Sequence, residues 1–150
     1  MTDVLSREQR TLNMSRIKGK DTKPEMLLRR GLHALGFRYQ LHRRELPGCP
    51  DLVFPRYRAA IFVHGCFWHR HECRLFKVPE TRTEFWRKKI WQNYERDQEA
   101  VKALRHEGWR ILTVWECALR GTGRLHFENV LLKTEKFLMG NRGMAEIKGT

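Results

Sequence analysis

Acidic residues are in short supply in this chain of 150 residues. Seventeen Asp and Glu stand against thirty Lys and Arg, which leaves a formal charge of +13 and a pI near 10.2. That imbalance on a small domain carries a self-repulsion cost, so it favours a polyanionic partner over a merely solvated basic surface. Long apolar runs are missing too. No stretch reaches the roughly 18 residues of a membrane-crossing helix, and the first residues are polar and charged, unlike a secretory signal. The expected location is therefore inside a cell, away from membranes, where thiols stay reduced. Cysteine is scarce, with four in all, and in that setting metal ligation or free thiols are favoured over disulfides. Internal repeats and linker-like segments are absent as well. With 41% hydrophobic residues and a mass of 18.0 kDa, one domain with a real core is expected rather than a disordered chain.

What is present sorts into helices and strands. Residues 1–20 are basic, with apolar Leu12, Met14 and Ile17 set among arginines and lysines, and suit equally an arm that orders on nucleic acid and a frayed terminus. Thr22-Lys23-Pro24-Glu25 is a capping box with a proline in the first turn. The stripe Met26, Leu27, Leu28, Leu32 and Leu35 that follows ends at Gly36. Phe37 to Leu41 and Asp51 to Phe54 are two expected strands on either side of a turn at Leu46-Pro47-Gly48-Cys49-Pro50. Ala59 to His64 is apolar on both faces, the mark of a strand inside a covered sheet. Thr83 caps a long helix from Glu84 to His106, whose residues Trp86, Ile90, Tyr94, Asp97, Val101 and Leu104 share one mostly apolar face, and Gly108 closes it. Trp109 to Trp115 is a further interior strand, Leu125 to Met139 a last amphipathic helix, and residues 141–150 a loose tail. The fold class that results is α/β, a three-layer sandwich around a mixed sheet, with one domain over residues 21–140.

The densest chemistry lies in His64-Gly65-Cys66-Phe67-Trp68-His69-Arg70-His71-Glu72-Cys73. Three histidines and two cysteines in ten residues exceed what isolated core positions would require. Imidazole and thiolate are the ligands zinc takes in tetrahedral structural sites. Cys66, His71 and Cys73 can meet on one ion if the stretch curls, and Cys117 is the best remote fourth ligand. His64 and His69 then remain beside the ion, with near-neutral pKa values suited to proton transfer. Cys49 is left as a free thiol.

Asp51 opens a strand directly after Pro50. A carboxylate held there suits a hard cation such as Mg²⁺, and it equally suits a plain turn residue. Glu25 is open in the same way, between a site residue and the capping box. Phe67 and Trp68, placed on a metal-stiffened loop, are candidates for wedges that part stacked bases, with Trp86 nearby in the long helix. Core packing is the alternative for each. A zinc-stabilised DNA-binding module without catalysis is the main rival function. A ββα-metal nuclease is disfavoured because an interior strand runs straight into His64.

Pro50-Asp51, Phe62 to His69, Leu75-Phe76-Lys77-Val78-Pro79, Thr81 to Trp86 and Val114 to Arg120 together resemble the very short patch repair (Vsr) endonucleases of bacteria. The resemblance runs from about Asn13 to Arg120. It implies a variant PD-(D/E)xK nuclease core with an added structural zinc. It also implies a Mg²⁺-dependent nick 5′ of the thymine in a T:G mismatch, which arises when 5-methylcytosine deaminates. By matching position, Asp51 is a ligand to Mg²⁺ (two ions in all), assisted by the main-chain carbonyl of Val63. His69 is the general base or water-positioner, and Glu25 and His64 complete the catalytic set. Cys66, His71, Cys73 and Cys117 hold Zn²⁺. Phe67, Trp68 and Trp86 intercalate, with Met14 and Ile17 entering from the arm. The implied partners are mismatched duplex DNA, mismatch-repair proteins and a cytosine-5 methyltransferase, and the implied state is a monomer in the bacterial cytoplasm beside the nucleoid. This chain departs from the family pattern in three places. The acid-x-Lys half of the general nuclease motif is absent, Val63 stands where Thr is usual, and Cys49 replaces a residue more often basic.

Overall fold

Thr22 caps the first helix, α1 (Lys23–Ala34), by accepting the Glu25 N–H on its hydroxyl at 3.4 Å. The structure, a computed structural model, describes residues 22–66 and 80–150. The expected arm, and with it Met14 and Ile17, lies outside the described residues, as do Phe67, Trp68, His69, His71 and Cys73. α1 stops as its sequence requires. Gly36 adopts a positive φ of 97°, its N–H bonds to the His33 carbonyl, and the Phe37 N–H bonds to the Leu32 carbonyl. This Schellman closure places Phe37 against Leu32 in the core. Phe37 therefore serves the helix end, and the expected strand shrinks to β1 (Gln40–Leu41).

β2 (Leu52–Phe54) pairs antiparallel with β1 and with β3 (Ala59–His64). β3 is the central strand, and its apolar run is buried along nearly its whole length, as a two-faced hydrophobic strand must be. The long helix α2 (Thr83–His106) follows. Thr83 does not cap it: Arg82 holds that position at a φ of 58°, and Thr83 is the first helical residue, donating its hydroxyl to the Glu80 carbonyl at 2.9 Å. At the other end Gly108 and Trp109 repeat the Schellman closure on Arg105 and Leu104. β4 (Arg110–Trp115) then runs parallel to β3, a short helix α3 (Glu116–Leu119) and the helix α4 (Phe127–Met139) follow, and β5 (Met144–Ile147) closes the chain.

β5 corrects the expectation of a loose tail. It pairs parallel with β4, in register from Ile111 opposite Met144 to Val114 opposite Ile147. Its alternation is short, with Ala145 and Ile147 turned to the core and Met144 and Glu146 exposed or partly so.

The sheet order is β1-β2-β3-β4-β5, mixed in direction. One face packs Leu52, Phe54, Ile61, Leu112, Val114 and Ile147 against Leu28 and Leu32 of α1 and Val130, Phe137 and Leu138 of α4. The opposite face packs Val53, Phe62 and Ile111 against Leu104 of α2. Helices thus cover both faces of a mixed five-stranded sheet, in the α/β class the sequence indicated.

Candidate active site

Register builds the site. Across the β1–β2 ladder Leu41 faces Leu52, so the next pair along is His42 and Asp51. Their backbones are joined by the His42 N–H donating to the Asp51 carbonyl at 3.2 Å. His42 turns out of the strand in the left-handed region, at a φ of 46°. From there its Nε2 lies 2.9 Å from Glu25 Oε2 and 3.9 Å from Asp51 Oδ1. Glu25 arrives from the first turn of α1, almost wholly buried at 1% exposure, and its Oε2 also accepts from Arg29 Nη1 at 2.8 Å. Asp51 is fixed through Oδ2, which accepts the Val63 N–H from β3 at 2.7 Å.

The electrostatics follow from that packing. Burial pushes the Asp51 carboxyl up to about 8. The Val63 N–H opposes the shift, and the charge and hydrogen bond of Glu25 add to it. Two buried carboxyls in contact cannot both ionise cheaply, so one keeps its proton at neutral pH. A divalent cation would supply the missing positive charge. Glu25, His42 and Asp51 offer three ligand atoms that all lie within 4.8 Å of one another, the one such grouping of His, Cys, Asp and Glu among the described residues. By donor chemistry and by charge, these residues fit a metal ion.

Glu25 and Asp51, both expected in the site, lie together with His42. Thr22 caps α1, while the Glu25 carboxylate turns to Arg29 and His42. Val63 touches Asp51 through its N–H. His64 ends β3. Its buried ring lies between Phe62, with centroids 5.1 Å apart, and Trp115, at 5.4 Å and edge-on. His42 is the residue that sequence reasoning missed. Its only signal was a place in the loop between two short strands, masked by the arginines beside it.

Two of the four residues expected to hold zinc, Cys66 and Cys117, are among the described residues. β3 and β4 are parallel, with His64 opposite Trp115, and Cys66 and Cys117 each follow by two residues, so both emerge at the same end of the sheet. Both side chains are buried. The Cys66 N–H donates to Glu116 Oε1 at 3.3 Å, and the Gly149 N–H donates to Cys117 Sγ, also at 3.3 Å. The Gly149 contact reaches the sulfur itself, and an N–H donor there suits a thiolate ligand. Glu116 also pairs with Arg120 at 2.6 Å, and so ties the Cys66 backbone to α3.

Trp86 is buried, exposing 9% of its surface, and meets Phe85 edge-to-face at 5.0 Å. Phe85 itself is exposed, with the Arg82 guanidinium 4.2 Å from its ring centre.

Comparison with known proteins adds relatives to this geometry. A family model described as DNA mismatch endonuclease Vsr matches residues 2–75. The chain is 49% identical over 125 residues to the type II nicking enzyme V.XorIIP of Xanthomonas oryzae pv. oryzae, covering 83% of this chain and 92% of that one. It is 46% identical over 147 residues to the DNA mismatch endonuclease Vsr of Escherichia coli, covering 98% and 94%. The type II nicking enzyme V.NmeAIP of Neisseria meningitidis is 40% identical over 120 residues, covering 80% and 86%.

Proposed function

Because the chain belongs to the Vsr family of DNA mismatch endonucleases, we propose that it nicks duplex DNA on the 5′ side of the thymine in a T:G mismatch, with Mg²⁺ at Glu25 and Asp51. The observation that carries this reading is the pair of buried carboxyls, Glu25 from the first turn of α1 and Asp51 before β2, with Asp51 held by the Val63 N–H. Such a pair is costly for a metal-free fold and suited to holding a cation. A bound divalent ion supplies Lewis-acid stabilisation of the charge that develops on the scissile phosphate.

The protein's own groups divide the remaining work. Glu25 and Asp51 hold the site in place from α1 and β2, and the main-chain carbonyl of Val63 is a further ligand by resemblance. His69 takes the proton from the attacking water. His64, held between Phe62 and Trp115, positions that loop, and its imidazole is the reserve proton carrier. Phe67, Trp68 and Trp86 part the stack beside the mismatch, with Met14 and Ile17 entering from the other side. Trp86 is buried in the DNA-free protein, so its insertion calls for rearrangement on binding. A mismatch stacks and pairs weakly, which lowers the cost of opening the duplex there and provides selectivity. The excess of thirteen positive charges supplies sequence-independent affinity.

Cys66, His71, Cys73 and Cys117 hold a structural Zn²⁺ in this reading, stiffening the loop that carries the wedges. Support comes from Cys66 and Cys117 following parallel strands out at the same end of the sheet, with the Gly149 N–H donated to Cys117 Sγ. The sheet with helices on both faces is the variant PD-(D/E)xK core, the protein acts as a monomer in the bacterial cytoplasm, and mismatch-repair proteins and a cytosine-5 methyltransferase are its functional neighbours.

The test is a nicking assay on duplexes carrying T:G or T:A at one position, with Mg²⁺. The expected result is a single nick in the thymine strand of the T:G duplex, lost by a factor of about 10³ or more in Asp51→Ala, as for removal of a group that stabilises the transition state. Equal cutting of both duplexes, or an Asp51→Ala protein as active as the parent, overturns the reading.

A further inference from the structure

We propose that His42 is a ligand to the catalytic cation, through Nε2, and that its imidazole biases the site toward Mn²⁺ over Mg²⁺. The inference rests on the divalent-ion reading above and assigns a residue that neither the sequence motifs nor the carboxylates alone indicate.

Four observations converge on His42. The register of β1 against β2 sets it opposite Asp51, and the backbone bond from its N–H to the Asp51 carbonyl fixes the two together. Its φ of 46° is sparsely populated for a residue with a side chain, a cost that is retained where the surroundings dictate a direction. That direction brings one nitrogen, Nε2, to both carboxylates, 2.9 Å from Glu25 Oε2 and 3.9 Å from Asp51 Oδ1. Finally, one ligand atom from each of the three groups lies within 4.8 Å of the others. Asp51 Oδ2 is taken by the Val63 N–H, and Oδ1 is the oxygen nearer His42. Arg29 Nη1 also holds Glu25 Oε2, at 2.8 Å, and so anchors that carboxylate from the α1 side. A single proton on Nε2 can be given to one carboxylate at a time, whereas a cation can be held by all three groups together.

The preference among metals follows from ligand softness. Mg²⁺ takes oxygen ligands almost exclusively and sheds water reluctantly. Mn²⁺ carries the same charge and accepts carboxylates equally well, and although it stands at the weak end of the first-row series it takes an imidazole nitrogen more readily than Mg²⁺ does. A site of two carboxylates and one imidazole is therefore better matched to Mn²⁺.

The experiment uses the full chain, zinc-loaded, titrated with Mn²⁺ and followed by electron paramagnetic resonance, with Mg²⁺ as competitor. Wild-type protein is expected to bind one tight Mn²⁺ whose pulsed spectrum carries the coupling of a directly bound imidazole nitrogen. In His42→Gln that coupling should vanish and Mn²⁺ affinity should fall by about tenfold or more, while Mg²⁺ affinity changes by less than about threefold. Circular dichroism checks that the variant is folded, and His42→Asn serves if it is not. The nitrogen coupling in wild type needs no variant at all. Tight Mn²⁺ binding that Asp51→Asn abolishes, but without nitrogen coupling, overturns the role of His42 and leaves the divalent-ion reading standing. A coupling that survives in His42→Gln belongs to another histidine and also overturns it. Mn²⁺ binding indifferent to Asp51→Asn removes the divalent-ion reading and this inference with it.

Discussion

Asp51 sits where stability and function pull in opposite directions. Its carboxyl is raised from 3.8 to about 8 by burial, with Glu25 adding to the shift. Between those two values the folded chain binds more protons at Asp51 than the unfolded chain does, so stability falls as pH rises through that window. In Mg²⁺-free buffer with zinc retained, wild type should therefore lose melting temperature steadily from pH 5 to pH 8. Asp51→Asn has no proton to lose, and its carboxamide oxygen can still accept the Val63 N–H. It should show a flatter profile and be the more stable protein at pH 8, while being inactive. Thermal unfolding of both proteins across that range decides the point, and two parallel curves would count against the buried-carboxyl account. His42 shows the limit of reading at this scale. Beside Arg43 and Arg44 it looks like part of a solvated basic run, and only the pairing of β1 with β2 reveals that it faces Asp51.

Elements were legible where local chemistry determines them, and less so where a distant strand does. α1 and α2 carry their boundaries in the sequence, since Gly36 and Gly108 supply the left-handed residue that a Schellman closure requires. β3 was legible because an apolar run with no polar face has nowhere to go but the middle of a sheet. β5 was not: four residues with two inward side chains give too short an alternation to stand out, and β4 is what orders them. The end of α4 shows how such distant support works. Arg110, the first residue of β4, bonds the Phe137 carbonyl at 2.8 Å and the Leu138 carbonyl at 3.0 Å, and also reaches the Tyr57 carbonyl at 3.0 Å. Its guanidinium lies 4.9 Å from the Phe137 ring centre. It thus serves as a side-chain cap on α4 from another layer, and its charge suits the negative end of that helix. Arg110→Leu should cost about 2–3 kcal/mol, since it removes charged hydrogen bonds and leaves carbonyls wanting donors. Arg110→Lys should recover only part, because an ammonium cannot span three carbonyls as a planar fork does. Denaturant unfolding of the two variants measures both, and equal stability of Arg110→Leu and wild type would refute the capping role.

At the scale of the molecule, the last ten residues link the edge of the sheet to the thiol end of the site. β5 covers β4 and buries Ile147. Two residues on, the Gly149 N–H reaches Cys117 Sγ, and the Thr150 N–H bonds the Gly123 carbonyl at 2.8 Å. The carbonyl of Cys117 would lie in contact with any side chain placed at Gly149, so glycine is what lets the backbone approach the thiol. Removing residues 141–150 should therefore do two things at once. Losing Ile147 from the core alone costs about 2 kcal/mol, which for a chain of this length corresponds to a fall of about 4–8 °C in melting temperature. With zinc at the site proposed above, losing the N–H donor to Cys117 should speed its release to a chelator by roughly tenfold, as loss of a supporting contact to a metal ligand does. Gly149→Ala separates the two effects, because it disturbs the approach to Cys117 and leaves β5 in place. It should accelerate zinc release with little change in the unfolding of the sheet. If the truncated protein released zinc at the wild-type rate, the C-terminal segment would be support for the sheet alone.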